Sequence, residues 1–203
     1  IGANTLATSG SFSNNTAVGH ASLNGVTTGG SNTAVGYQAL FSATTGGYNV
    51  ASGYQSGRAI STGAENVTLG SQAGYSLTTM SNNIAIGSNA LATATSNTSG
   101  NGTVAIGYLA LRRLTTGNGN VAIGNKAGEE LTTGSDNTIM GYYAADIMTT
   151  GAHNTVVGSN AGNVMTTASY NTLIGRVAGN SISTGNRNTI VGFDAGTSVS
   201  TGI

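Results

Sequence analysis

The stretch Asn83-Ile84-Ala85-Ile86-Gly87 is one copy of a short motif that recurs along the whole chain. Its glycine marks a 17-residue repeat, and the spacing is constant except between Gly87 and Gly107, where it is longer by three. A fixed short period predicts a repeat protein, in which each unit buries its apolar face against its neighbours. We call the recurring residues the marker glycines: Gly2, Gly19, Gly36, Gly53, Gly70, Gly87, Gly107, Gly124, Gly141, Gly158, Gly175 and Gly192.

The three residues before each marker glycine have the pattern of a short strand. Positions are counted from the marker glycine, so that Ile84, Ala85 and Ile86 occupy positions −3, −2 and −1. On a strand, the side chains at −3 and −1 share one face and the side chain at −2 points to the other. Both faces are apolar, so either the strand is buried on both sides or one face meets another chain. We expect the Val and Ile side chains at −1 to form the core.

The rest of each unit favours strands and turns over helix. An apolar residue recurs at position +7, and a Thr-Thr-Gly turn such as Thr132-Thr133-Gly134 follows it. Glycine and β-branched residues disfavour helix by about 0.5–1 kcal/mol each. The sequence therefore predicts an all-β fold, a β-solenoid or parallel β-roll with one 17-residue repeat per rung and rungs stacked ~4.8 Å apart.

The array has a simple organisation. We expect one domain over residues 1–203, made of about twelve units. An insertion of three residues near 95–102 should form a loop. We also expect these residues to be part of a longer fibre.

Two pairs of charged residues test the stacking. Arg112-Arg113 and Glu129-Glu130 are separated by one repeat and occupy equivalent positions of successive units. One rung of separation would place each arginine beside a glutamate, which stabilises neighbouring strands by ~0.2–1 kcal/mol per pair. The solenoid therefore predicts two ion pairs here.

Asparagine occupies position −4 in every unit but one, where Thr103 replaces it. Stacked amides hydrogen-bond along a ladder, and asparagine tolerates the backbone of a turn. We therefore expect a structural ladder at this corner of the rod, formed by Asn15, Asn32, Asn49, Asn66, Asn83, Asn120, Asn137, Asn154, Asn171 and Asn188.

Composition argues against several classes of function. Only 6% of the residues are charged and the net charge is zero, so we expect no nucleic-acid partner. No apolar run approaches the ~20 residues of a membrane span, so we expect no membrane insertion. The two histidines, His20 and His153, would lie eight rungs or ~38 Å apart and cannot share a catalytic site within one chain. With no cysteine and no repeated Asp in the turns, we expect no enzyme, no cofactor and no metal.

The motifs resemble two groups of repeats. Residues 32–40 and 83–91 resemble the head repeats of trimeric autotransporter adhesins, and residues 27–36 are similar to the repeats of bacteriophage tail fibres. The resemblance covers the whole chain. It implies a left-handed, homotrimeric β-roll with small residues where the chains meet, for which alanine at −2 is suited. Later units carry larger residues there (Ile139, Val156, Leu173 and Ile190), so we expect that interface to change along the rod.

The resemblance predicts an extracellular fibre shaft or head, on a phage tail or a cell surface. Aromatic side chains at +1 are candidate contacts for a glycan or protein receptor, because exposed aromatic rings bind sugars and proteins; they could equally cover turns. A self-assembling filament is an alternative, since open solenoid ends expose strand edges. Ice binding by the threonines is a lesser one, because only one of two adjacent threonines faces outward. The candidate receptor contacts are Tyr37, Tyr54, Tyr108, Tyr142 and Phe193.

Overall fold

A computed structural model of the protein describes residues 2–6, 13–94 and 102–197. This part of the chain contains eleven three-residue strands and no helix. The strands pair in chain order, all parallel, into one sheet, which confirms the all-β solenoid with 17-residue rungs. They are β1 (Thr16–Val18), β2 (Thr33–Val35), β3 (Val50–Ser52), β4 (Val67–Leu69), β5 (Ile84–Ile86), β6 (Val104–Ile106), β7 (Val121–Ile123), β8 (Thr138–Met140), β9 (Thr155–Val157), β10 (Thr172–Ile174) and β11 (Thr189–Val191).

The register follows the sequence repeat without slippage. Thr16 pairs with Thr33, one repeat later, and every other pair of strands is aligned in the same way. Between β5 and β6, Ile84 pairs with Val104 across the one longer interval, so the insertion does not disturb the sheet. The loop predicted for the insertion falls mainly on residues 95–101, which lie outside the described residues. No helix in the described ranges is long and apolar enough to cross a membrane.

The marker glycines are points of close approach between rungs. Gly53 has a φ of 136°, and a Cβ added to it would lie 2.5 Å from the carbonyl oxygen of Gly70 in the next rung. Real Cβ atoms do not approach a carbonyl oxygen so closely, and an L side chain rarely adopts this φ. The repeat therefore requires glycine here for steric reasons.

The structure corrects the expected orientation of the strands. The small side chain at −2 points into the core, where Ala85, Ala105 and Ala122 are completely buried. The side chains at −3 and −1 face outward and are half-buried or exposed. The reason is that the interior is filled from the opposite side of the coil, by Leu40 and Leu77 and their equivalents at +4 and +7, and a leucine at +4 leaves room for only a small residue at −2.

The larger residues at −2 in the later rungs belong to the core as well, so the expectation of a changing interface at this position was wrong. Size is compensated within most rungs: where −2 is larger, +4 is small, and where −2 is alanine, +4 is often leucine, although Ala51 and Ala122 have Gly57 and Gly128 at +4. Leu173 thus lies over Gly179, where an added Cβ would be 2.7 Å from the leucine Cδ2. The pairs at −2 and +4 include Ala34 with Leu40, Ala85 with Leu91, Ala105 with Leu111, Thr68 with Gly74, Ile139 with Ala145, Val156 with Gly162 and Leu173 with Gly179.

This compensation predicts how stability changes when the large and small residues of one rung are exchanged. Leu173→Ala should lower the free energy of unfolding by about 2–5 kcal/mol, because it leaves a cavity in a fully buried site. Adding Gly179→Leu should recover at least ~1 kcal/mol of that loss, since it recreates the Ala and Leu pairing of the early rungs. Urea unfolding followed by circular dichroism measures both variants. A double variant less stable than Leu173→Ala alone would contradict the compensation.

Candidate functional site

The outward side of the sheet is an uncharged surface, with an apolar column at −1 that only Ser52 interrupts and a mixture of threonine, valine and isoleucine at −3. We define the outer sheet face as the side chains at −3 and −1 of β1 to β11. None of these strands contains a charged residue. The face includes exposed Val35, Met140 and Ile174 and the half-buried Ile106 and Ile123. Sequence alternation indicated two apolar faces but not which of them faced outward, so this surface was missed.

The ten predicted asparagines lie in one column beside the strands, and those between the ends of the column are buried. The Asn154 Nδ2 donates to Asn137 Oδ1 at 3.0 Å and to the Ala168 carbonyl at 2.9 Å. Its Oδ1 accepts the backbone N–H of Asn171 at 2.9 Å and the Asn171 Nδ2 at 3.2 Å. Each amide therefore joins three turns of the coil and leaves no buried polar atom unpaired, which favours a structural role.

Thr103 interrupts this column. Its backbone N–H donates to Asn83 Oδ1 at 3.0 Å, as an asparagine would, but its side chain provides no amide to continue the ladder. The Thr103 Oγ1 is buried and has no hydrogen-bond partner among the described residues. The side-chain ladder is therefore divided into two parts, one ending at Asn83 and the other beginning at Asn120.

Repair of this gap should stabilise the protein. Thr103→Asn should raise the free energy of unfolding by about 1 kcal/mol, because the new amide pairs with Asn83 and Asn120 and a buried unpaired hydroxyl is removed. The reverse change in an intact rung, Asn137→Thr, should lower it by about 1–3 kcal/mol. Chemical unfolding compares the two variants with the parent. If both changes shift stability in the same direction, the ladder is not the cause.

The predicted receptor contacts lie along one line of the surface, and all five are exposed. The structure brings only Tyr37 and Tyr54 together, with ring centroids 5.4 Å apart, and His20 stacks on the other face of Tyr37 at 5.4 Å. Serines occupy the next two rungs of this line, so Tyr108 lies three rungs or ~14 Å beyond Tyr54. The line is therefore a short aromatic stack and separate single rings.

The remaining two candidates have different neighbours. Tyr142 lies against Tyr143 at 4.4 Å, and the hydrogen bond between the two hydroxyls raises the pKa of Tyr142. Phe193 has the Arg176 guanidinium 5.4 Å from its ring centroid. These rings therefore pack on their own chain as well as facing solvent.

The two threonines of each turn have different roles. The first donates its hydroxyl to the next rung, as Thr132 Oγ1 does to the Thr149 carbonyl at 2.9 Å and Thr149 Oγ1 to the Thr166 carbonyl at 3.1 Å. The second, such as Thr45 or Thr133, is exposed. Turns such as these thus present one exposed threonine side chain on this surface, not the two that a broad flat hydroxyl array would need.

The charged residues of the middle rungs form one cluster. Arg112 Nη1 lies 3.5 Å from Glu129 Oε1, and Arg113 Nη1 lies 3.0 Å from Glu130 Oε2. The predicted ion pairs between successive rungs are therefore confirmed. Lys126 Nζ adds a contact of 3.2 Å to Glu129 Oε2, and this hydrogen bond raises the pKa of Lys126.

Asp146 stands one rung beyond Glu129, on the side away from Arg112. Its Oδ1 is buried with no hydrogen-bond partner in the described part of the chain. Burial, and next the charge of Glu129, raise the pKa of the Asp146 carboxyl above its usual value of 3.8. The folded protein therefore holds this proton more tightly than the unfolded chain does.

The sign of this shift gives a pH-dependent prediction. Because ionisation of Asp146 is less favourable in the folded state, stability is lost as the pH rises above the usual pKa of 3.8. Asp146→Asn should therefore raise the urea midpoint at pH 7, and its advantage over the parent should shrink at pH 3. Glu130→Gln, which breaks the ion pair with Arg113, is the control and should bring no gain at pH 7. An equal gain for Asp146→Asn at both pH values would contradict the assignment.

The two histidines lie at different positions of the rung and far apart along the rod. His153 lies 3.8 Å from Asp136 and stacks on Tyr170 at 4.9 Å, whereas His20 belongs to the aromatic stack. Among the described residues, no group of three or more His, Cys, Asp or Glu side chains could hold a metal ion.

Comparisons of the chain with protein-family models, with curated proteins and with solved structures found no match. A function must therefore be inferred from the surfaces of the rod.

Proposed function

We propose that this chain is a non-catalytic structural rod of an extracellular fibre, a shaft or head on a phage tail or a cell surface. In this proposal three copies associate side by side through their outer sheet faces. The receptor would be a glycan or a protein met by the exposed aromatic side chains at +1. The repeat motifs, which resemble those of adhesin heads and tail fibres, support both the trimer and the location.

The observation that carries the proposal is the column of apolar side chains at −1 of the outer sheet face, which is uncharged throughout and is interrupted only by Ser52. Eleven strands spaced ~4.8 Å apart give it a length of about 48 Å, and two outward residues per strand a width of ~7 Å. The whole face, with the threonines at −3 included, covers on the order of 300 Å². An exposed apolar column within such a face is the kind of surface at which soluble proteins often bind partners. Association of identical chains would bury this face along its whole length.

The rod form supports a mechanical role. Its residues are stacked in register through one hydrogen-bonded sheet, and its ionisable groups serve mainly as ion pairs and stacking partners on the surface. Solenoids of this kind gain length by adding rungs, since each rung contacts only its neighbours. Adding rungs therefore lengthens the rod without changing how each rung packs.

Oligomeric mass tests this proposal. Sedimentation or light scattering should give three times the 19.9 kDa mass of one chain. Replacing Ile106, Ile123 and Ile174 by serine should dissociate the trimer, because it removes apolar contacts along the interface. Serine is tolerated in such a position, as Ser52 shows. The matched control is Ile147→Ser, since Ile147 is 41% exposed and Ile174 39% but only Ile174 lies on the sheet.

The control should remain trimeric. A parent chain that is monomeric at micromolar concentration would overturn the trimer. A mass that grows steadily with concentration would instead favour the self-assembling filament.

A further inference from the structure

An open groove runs along the turn surface near the first rungs. We define the turn groove by positions −6 and −5 of four successive rungs, from Asn14 to Glu65, together with the exposed threonines Thr28 and Thr45. It encloses about 520 Å³, and its four rungs span ~14 Å along the rod. No predicted receptor contact lines it.

The floor of the groove carries backbone donors without protein acceptors. In several other rungs, the N–H at −6 donates to a side chain at −6 of the next rung: Ala64 to Ser81 Oγ at 3.0 Å, and Ala152 to Ser169 Oγ at 3.0 Å. The N–H groups of Gly30 and Gly47 have no such acceptor in the described chain, because the next residues at −6 are Gly47 and Ala64. Two neighbouring donors are therefore available to a ligand.

The wall of the groove provides an aromatic ring with free surface. Tyr48 is 68% exposed. Some other rings have neighbours on both faces: Tyr37 lies between His20 and Tyr54, and Tyr170 between His153 and the Arg187 guanidinium. In the column of Tyr48, the adjacent rungs carry Ser31 and Glu65, neither of which is aromatic or cationic.

The charge of the groove lining indicates which class of ligand it can bind. Glu65 is the one charged residue among the described residues of the lining, so the groove disfavours anions and offers a strong hydrogen-bond acceptor beside its two backbone donors. Sugar hydroxyls both donate and accept hydrogen bonds, and the apolar face of a pyranose packs on an aromatic ring. We propose that the turn groove binds a neutral oligosaccharide, with its sugar ring on Tyr48, its hydroxyl oxygens on the N–H groups of Gly30 and Gly47, and its hydroxyl hydrogens on Glu65.

This site goes beyond the role of a structural rod, and it does not depend on chain association. A rod can carry the groove as a monomer or as a trimer, so the oligomeric mass is measured in the same samples. A parent chain with the trimeric mass that binds no sugar would contradict the groove site alone. A monomeric parent that binds sugar would contradict the trimer alone.

Titration calorimetry with chitohexaose, cellohexaose, maltohexaose and mannohexaose tests the site. The parent should bind at least one of them, and Tyr48→Ala should weaken that binding about tenfold or more. Tyr108→Ala is the matched control, because Tyr108 is 50% exposed but lies outside the groove, and it should bind as the parent does.

A second pair of variants tests the donors alone. Ala64→Ser should place a hydroxyl on the Gly47 N–H, as Ser81 does for Ala64, and should weaken binding without a change in fold. Ala152→Ser makes the same change at a rung far from the groove and should have no effect. Failure of all four sugars to bind the parent overturns the proposal, as does equal loss in the controls or tighter binding of a sulfated hexasaccharide than of any neutral one.

Discussion

The contact between marker glycines of successive rungs sets the geometry of the whole rod. At Gly53 the space between rungs is too small for a Cβ, and the same holds at Gly19 and Gly87. Any side chain there would force neighbouring rungs apart and weaken the parallel hydrogen bonds, which require strands ~4.8 Å apart. The asparagine amides, the threonine hydroxyls and the inter-rung ion pairs all depend on that spacing.

The period of the sequence was sufficient to predict the rungs, their register and the ion pairs of Arg112 and Arg113. It could not predict which side of the strand faces inward, because both sides are apolar and alternation alone carries no direction. The deciding information was the size of Leu40 and its equivalents across the coil. The sequence also did not predict the left-handed backbone of some turn residues. Leu40 and Tyr48 have φ values of 48° and 58°, which such residues rarely adopt and which the stacking of rungs imposes.

Different faces of one rung can serve different purposes. The outer sheet face is uncharged and carries an apolar column along the described rungs, as side-by-side association would need. The turn groove is polar and local, because it depends on the particular residues at Gly30, Gly47, Tyr48 and Glu65. The outer sheet face therefore follows from the repeat in every rung. The turn groove, in contrast, depends on which residues occupy the exposed turn positions of a few rungs. Sequence reasoning concentrated on the tyrosines at +1 and missed Tyr48, whose only signal is its place in a turn beside two glycines.

The asparagine ladder also gives the rod a direction. Each side-chain amide donates toward the preceding rung and accepts from the following one, so the amide dipoles are aligned head to tail and polarise one another. Thr103 breaks that alignment between Asn83 and Asn120. The rod thus carries two amide ladders whose joint lacks an amide-to-amide hydrogen bond, although the backbone sheet, the Thr103 N–H and the continuous core still cross it. Tension applied along the rod would meet the least side-chain resistance at this joint.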